Sequence, residues 1–161
     1  HRDLHSFPTR RSSDLCASTA TRFTSVIEPM LERFFLDTNV VVYLLADDPA
    51  KALRAEGLLA ARPCISTQVV NEFINVCTRK LGIDRAAAHA SARSLMAHCE
   101  VVPVSATTLS EAMRLGERYG YAHWDCLIVA AAQLAGCSVL YREDMQHGQQ
   151  LDGLRVHDPF R

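Results

Sequence analysis

Four acidic residues occupy positions from which their carboxylates could act together. Each falls just after a predicted strand or within the first two turns of the helix that follows a loop: Asp37, Glu72, Asp125 and Asp144. In a doubly wound parallel sheet, these positions meet at the carboxyl edge, which is where ligands bind. We therefore predict that the four side chains converge on one acidic site.

Four carboxylates cannot crowd together without compensation, because like charges within a few ångströms raise one another's pKa. A hard divalent cation resolves the repulsion. Mg²⁺ or Mn²⁺ prefers oxygen ligands and keeps several waters, which leaves room for a phosphate oxygen and an attacking hydroxide. The chemistry that this favours is phosphodiester hydrolysis with one or two cations. Neutralising Asp37 or Asp125 should then leave metal-free stability unchanged or higher, because it relieves repulsion.

Two of these acids also have purely structural interpretations. Asp37 could cap the helix that follows it, since Asp, Thr and Asn all make good N-caps. Asp125 could compensate the dipole of the apolar helix whose first turn it occupies. The sequence by itself leaves both alternatives open.

The elements that must position the acids are predicted from apolar runs and helical periodicity. Strands are predicted at residues 34–36, 63–66, 100–104 and 138–141, with a further edge strand at 154–157. Helices are predicted at residues 50–61, 68–80, 84–98, 105–119 and 126–135. Short apolar strands that alternate with helices indicate a parallel sheet covered by helices on both faces.

Local signals refine this arrangement. Thr67 can cap the helix that carries Glu72. Pro103 places its strand near an edge, because proline cannot donate to a strand ladder. The helix at 126–135 is apolar nearly all round and should be buried.

Length and composition limit the class of protein. A chain of 161 residues with 48% hydrophobic and 22% charged residues is typical of one globular domain. No apolar stretch approaches the ~20 residues that a membrane span needs, so the expected location is the cytoplasm.

The six cysteines include no C-x-x-C pair and lie in apolar contexts, which favours reduced core thiols. A net charge of −1 argues against binding nucleic acid by bulk electrostatics, unless a metal sequesters several acids.

Residues 1–29 differ from the rest of the chain. They are rich in Ser, Thr and Arg and show no sustained apolar period. The segment 5–15 looks like the conceptual translation of a sequencing adapter, so we expect a non-native leader and a natural start at Met30. The alternative is a disordered basic arm. The expected folded domain is 30–161.

The chain from residue 30 to residue 160 resembles PIN-domain ribonucleases, of the VapC-like kind found in bacterial toxin–antitoxin pairs. Four matching fragments lie at residues 35–39, 66–73, 124–132 and 143–148. Each fragment is a weak signal alone, but four in order with suitable spacing are specific. The resemblance implies a three-layer α/β/α sandwich around a central parallel sheet and Mg²⁺-dependent cleavage of RNA, with Mn²⁺ as a possible substitute.

The resemblance also implies roles for individual residues. Asp37 and Asp125 would be the principal metal ligands, and Glu72 and Asp144 would complete the acidic cluster. Members of this family commonly pair with a small antitoxin that blocks the acidic cleft, and they commonly form homodimers. We therefore expect an RNA substrate, an antitoxin partner and a homodimer.

The resemblance also bears on residues beside the acids. Thr38 and Asn39 would orient Asp37 and contact metal-bound water or phosphate. Arg142 departs from the family pattern, in which Ser or Thr often precedes the Glu-Asp pair. It could bind substrate phosphate as a bidentate donor, although a solvent-exposed position is the simpler expectation.

Other side chains could contact RNA, although each is also an ordinary surface or packing residue. The basic candidates are Arg79, Lys80, Arg54, Arg62 and Arg85. Trp124 could stack on a base, but we expect it to pack as a hydrophobic staple against the helix that it precedes.

Two other functions compete with the nuclease. A phosphatase or phosphotransferase with a nucleophilic Asp often carries a second Asp two residues later, and this chain has Asn39 there. A PIN-like module that binds RNA or a partner without catalysis is the stronger alternative, although retention of all four acids argues against it.

Overall fold

The structure, a computed structural model, describes residues 32–161. The expectations for residues 1–29, for Met30 and for Cys16 lie outside this range. The strands are β1 (Phe34–Leu36), β2 (Cys64–Ser66), β3 (Glu100–Val102), β4 (Val139–Tyr141), β5 (Gln150–Leu151) and β6 (Leu154–His157). The helices are α1 (Thr38–Val41), α2 (Pro49–Ala60), α3 (Thr67–Arg79), α4 (Arg85–His98), α5 (Ala106–Tyr119) and α6 (His123–Leu134), and a 3₁₀ turn spans Val42–Leu44.

One six-stranded sheet forms the centre of the domain, in the order β3-β2-β1-β4-β6-β5. The strands from β3 to β6 in this order pair in parallel, and β5 pairs antiparallel with β6. The predicted central parallel sheet within an α/β/α sandwich is therefore confirmed. So is the position of β3 at an edge. Since β1 lies between β2 and β4, the residue that follows it stands at the middle of the carboxyl edge.

The prediction that residues 154–157 form an edge strand is wrong. β6 lies between β4 and β5, because the turn at Asp152 and Gly153 folds β5 back against it. Both turn residues have positive φ, 47° and 91°. An Asp-Gly pair accommodates such angles readily and is a strong hairpin signal, which the sequence contained.

The helices begin within one residue of the predicted positions, except α6, which begins at His123 and not at residue 126. The predicted N-cap of α3 is wrong. Ser66, not Thr67, is the N-cap there, and its hydroxyl accepts from the backbone N–H of Val69. Thr67 instead accepts from the N–H of Val104, 3.1 Å away. Asp84, the first residue of the helix predicted at 84–98, is the N-cap of α4.

The apolar helix α6 is buried from Cys126 to Ala132, as predicted. The cysteines of the described residues are free and buried, which agrees with reduced core thiols: Cys64, Cys77, Cys99, Cys126 and Cys137. Between residues 32 and 161, no helix combines the length and apolar character needed to cross a membrane.

Candidate active site

Asp37 lies at the centre of the acidic edge. Its backbone N–H donates to the carbonyl of Tyr141 at 3.1 Å, which extends the pairing of β1 with β4. Its carboxylate accepts from the N–H of Thr38 at 2.7 Å and so caps α1, and the residue is 5% exposed. Burial raises the pKa of Asp37 to about 6, although the charge of Arg142 and the N–H of Thr38 act in the opposite direction. The capping interpretation is therefore correct and does not exclude a chemical role.

Arg142 lies between Asp37 and Asp125. Its Nη2 donates to Oδ1 of Asp125 at 2.5 Å, and its Nε lies 3.3 Å from Oδ2 of Asp37. The expectation that Arg142 is solvent-exposed is wrong, because the residue is only 7% exposed. Its backbone N–H donates to the carbonyl of His157 and thereby continues strand β4. The two carboxylates compensate the burial of its charge.

Only part of the hydrogen-bonding capacity of the Arg142 guanidinium is used. Its Nε and Nη1 atoms are buried and have no hydrogen-bond partner among the described residues. Burial alone would lower the pKa of Arg142, but the charges of Asp37 and Asp125 outweigh it and raise the pKa. Arg142 is thus held by charge more than by hydrogen bonds.

Glu72 faces the same edge from α3. The Thr38 hydroxyl donates to its Oε2 at 2.8 Å, and Nε2 of Gln68 donates to its Oε1, also at 2.8 Å. Nε2 of Gln68 also donates to the carbonyl of Trp124 at 3.2 Å, which joins α3 to the start of α6. The side chain of Thr38 therefore orients Glu72, and only its backbone N–H orients Asp37.

Asp144 is reached by Asn39. Nδ2 of Asn39 donates to Oδ2 of Asp144 at 2.9 Å, so the amide orients this acid and not Asp37. The neighbouring Glu143 turns away and pairs with Lys51 at 2.5 Å, and it also accepts from the hydroxyl of Tyr43 at 3.0 Å.

Sequence reasoning assigned no role to Gln68, Tyr43 or Lys51, each of which contacts an acid near this edge. Gln68 lies one turn before Glu72 on the same helical face, so its spacing was an available signal. Lys51 lies far from Glu143 along the chain, and no local pattern indicates that pairing.

The structure brings all four predicted acids to the carboxyl edge, where protein groups contact each of them. In this arrangement they do not fit a divalent ion. Within residues 32–161, no group of three or more His, Cys, Asp or Glu side chains is placed to hold a metal. A single Mg²⁺ needs its oxygen ligands within about 2.0–2.1 Å, and the guanidinium of Arg142 occupies the space between Asp37 and Asp125.

A cleft of about 580 Å³ adjoins Glu72, one of the four acids. The side chains that line it come mainly from α3 and α6: Thr67, Gln68, Asn71, Glu72, Asn75, Val104, Trp124 and Leu127. Trp124 is 67% exposed, so the expectation that it packs as a staple is wrong. Because α6 begins at His123, Trp124 falls in the first turn and borders the cleft.

Arg79 lies at the far end of α3 and is exposed, as is Lys80 beyond it. Arg79 follows Glu72 by two helical turns on the same face, roughly 10 Å along the axis at 1.5 Å per residue. Arg79 continues the row of polar side chains that α3 presents to the cleft, which consists of Gln68, Glu72 and Asn75.

These features define an α/β domain with an acidic site at the carboxyl edge of a parallel sheet. The family model for the PIN domain matches residues 34–148, which is most of the chain. The chain therefore belongs to the PIN domain family. A comparison with curated proteins gave no match.

Several solved structures share this fold. VapC20 of Mycobacterium tuberculosis, described as a sarcin-ricin loop cleaving toxin, has 26% identity and a TM-score of 0.57, over 69% of this chain and 89% of that one. DNA-bound VapBC from Salmonella typhimurium has 20% identity and a TM-score of 0.61, over 79% and 98%. VapBC2 from Rickettsia felis has 20% identity and a TM-score of 0.59, over 77% and 96%. The predicted VapC-like resemblance is confirmed.

The buried carboxylate of Asp37 should make stability depend on pH. Its pKa rises from 3.8 in the unfolded chain to about 6 in the fold, so folding favours the protonated acid. The stability that this preference contributes is complete below pH 4 and is lost as the pH rises through 6. This corresponds to about 3 kcal/mol. We expect Asp37→Asn to match wild type near pH 4 and to exceed it by about this amount at pH 7, in urea unfolding with EDTA. A difference that does not vary with pH would contradict this origin.

Asp125→Asn should have the opposite effect. It weakens the charge-assisted hydrogen bond at 2.5 Å to the buried Arg142, and the expected loss is about 1–2 kcal/mol, since the Asp125 side chain is 35% exposed. The sequence-based expectation of unchanged or higher stability is therefore revised for this residue. Asp144→Asn removes an acid that makes no hydrogen bond to Arg142 and whose side chain accepts from Asn39. It is the matched control and should change the free energy of unfolding by less than about 0.5 kcal/mol.

Proposed function

We propose that this protein is an endoribonuclease and the toxin component of a toxin–antitoxin pair. The observation that carries the proposal is the convergence of four acids at the carboxyl edge of a PIN domain. The similarity to VapC20, an RNA-cleaving toxin by its description, supports the substrate class.

The proposed catalytic residues are Asp37, Glu72, Asp125 and Asp144. An anionic phosphodiester would be repelled by four carboxylates unless positive charge offsets them. The proposed cofactor is Mg²⁺, with Mn²⁺ as a substitute. In the metal-free arrangement, Arg142 supplies the positive charge between Asp37 and Asp125. Thr38 and Asn39 hold Glu72 and Asp144 in place by the hydrogen bonds described above.

We propose that single-stranded RNA lies in the cleft beside Glu72. Unpaired bases are commonly bound by aromatic stacking and by side-chain amides. The cleft offers the exposed ring of Trp124 and the amides of Asn71 and Asn75. Arg79 lies further along the same face of α3, where it can contact a phosphate.

The proposed partners are a small antitoxin and a second copy of this chain. Several structures with the same fold are toxin–antitoxin complexes, among them one from Klebsiella pneumoniae. An antitoxin that covers the cleft would shield the acids and Trp124 together.

A PIN-like binding module without catalysis is the second candidate. The observation in its favour is the position of Arg142, which leaves the acids without an arrangement suited to a metal within the described residues. Such a module would bind RNA in the same cleft but would not cleave it.

The nuclease is tested by incubating the full chain with a mixed RNA pool in Mg²⁺, Mn²⁺ or EDTA. We expect cleavage with metal only, and a loss of at least a hundredfold in Asp37→Asn, which removes a carboxylate from the centre of the site. Glu117→Gln, which changes an exposed acid on α5, is the matched control and should cleave like wild type. RNA binding without cleavage by folded protein would favour the binding module.

The cleft is tested by Trp124→Ala. Loss of one stacking platform should weaken binding of a short single-stranded RNA by about tenfold, since stacking contributes about 1–3 kcal/mol per base. Trp124→Phe should retain most of the affinity. Leu134→Ala removes another exposed apolar side chain from the opposite end of α6 and serves as control. Equal affinities for Trp124→Ala and Leu134→Ala would exclude stacking on Trp124.

A further inference from the structure

We propose that Arg142 is the resident counter-cation of the acidic cluster and that its side chain must leave the space between Asp37 and Asp125 before a divalent cation can bind. Arg142 would then set the affinity of this site for divalent cations. The inference deepens the proposed function, because it concerns the same four acids, but its test does not depend on RNA cleavage.

The geometry carries the first step. Two different nitrogens of one guanidinium contact two different carboxylates, at 2.5 Å for Asp125 and 3.3 Å for Asp37. A divalent ion shared by these carboxylates would have to lie between them, where the guanidinium already lies. Two cations so close would also repel each other in a largely buried site. Arg142 and a divalent ion therefore compete for one place.

The incomplete bonding of Arg142 carries the second step. Only Nη2 makes a hydrogen bond, whereas Nε and Nη1 are buried without partners among the described residues. A buried guanidinium gains most when all its N–H groups are bonded. The carboxylates of Asp37 and Asp125, which hold Arg142, can therefore bind a divalent cation in its place. Asp125, whose side chain is 35% exposed, gives that cation access from solvent.

A phosphate is a less suitable ligand for Arg142 in this arrangement. The Nε and Nη1 atoms are closed to solvent, and Nη2 already donates to Asp125. Bidentate binding of phosphate needs two adjacent N–H groups that face the ligand. The predicted substrate-binding role would require the same displacement that cation binding requires.

The test is a titration of the full chain with Mn²⁺, followed by electron paramagnetic resonance of the free ion. Arg142→Ser removes the cation, and Arg142→Met removes it while keeping much of the side-chain volume. Arg155→Ser is the matched control, since Arg155 is an exposed arginine on β6 that pairs with Glu32. We expect both Arg142 variants to bind Mn²⁺ at least tenfold more tightly than wild type, and Arg155→Ser to bind like wild type.

Thermal unfolding gives a second readout. In EDTA, both Arg142 variants should melt at lower temperature than wild type, because Asp37 and Asp125 then lack their shared cation. Added Mn²⁺ should raise the melting temperature of these variants more than that of wild type. Equal or weaker Mn²⁺ affinity in a folded Arg142 variant, or no binding by any of the proteins, would overturn the proposal.

Wild type alone provides a test that does not rely on the variants folding. In the ¹⁵N-labelled protein, Mg²⁺ should shift the Nε–H resonance of Arg142 and speed its exchange with water. An unchanged resonance at saturating Mg²⁺ would overturn the proposal. If Mn²⁺ binding behaves as expected but no RNA is cleaved in any metal, the inference stands and the proposed nuclease fails.

Discussion

The contact of one guanidinium with two carboxylates is the constraint on which the acidic edge depends. Arg142 joins residues from three separate elements: the end of β1, the end of β4 and the first turn of α6. Without a positive charge at that point, Asp37 would be a buried carboxylate facing others across the sheet edge. The Arg142 side chain therefore stabilises the metal-free fold with its acids in place.

The remaining acids are positioned by the residues that immediately follow β1. Capping by Asp37 starts α1, and the short helix directs Thr38 and Asn39 to different sides. Thr38 donates to Glu72 on α3, and Asn39 donates to Asp144, which follows β4. The tripeptide 37–39 thus contacts three parts of the edge: the end of β4, the helix α3 and the loop that follows β4.

Much of this arrangement could be predicted because it follows from periodicity and topology. Helical periodicity and the uniform apolarity of α6 indicated the helices and their burial, and parallel strands necessarily bring their carboxyl ends together. The burial of Arg142 could not be predicted in this way. It depends on β4 lying beside β1 with the start of α6 above both, and no local sequence pattern encodes a contact between distant residues. The exposure of Trp124 was missed for a related reason, since one shifted helix start decides whether the ring faces the core or the cleft.

The charge balance of the edge links stability to function. One guanidinium supplies a single positive charge to two carboxylates, so the metal-free site keeps an excess of negative charge that attracts cations. An arginine with all its N–H groups bonded would stabilise the metal-free fold but would prevent a divalent cation from reaching the acids. An uncharged residue at position 142 would leave the acids accessible to a divalent cation but would destabilise the metal-free fold. The loosely bonded Arg142 lies between these extremes, which is consistent with a site that folds alone and still exchanges its cation.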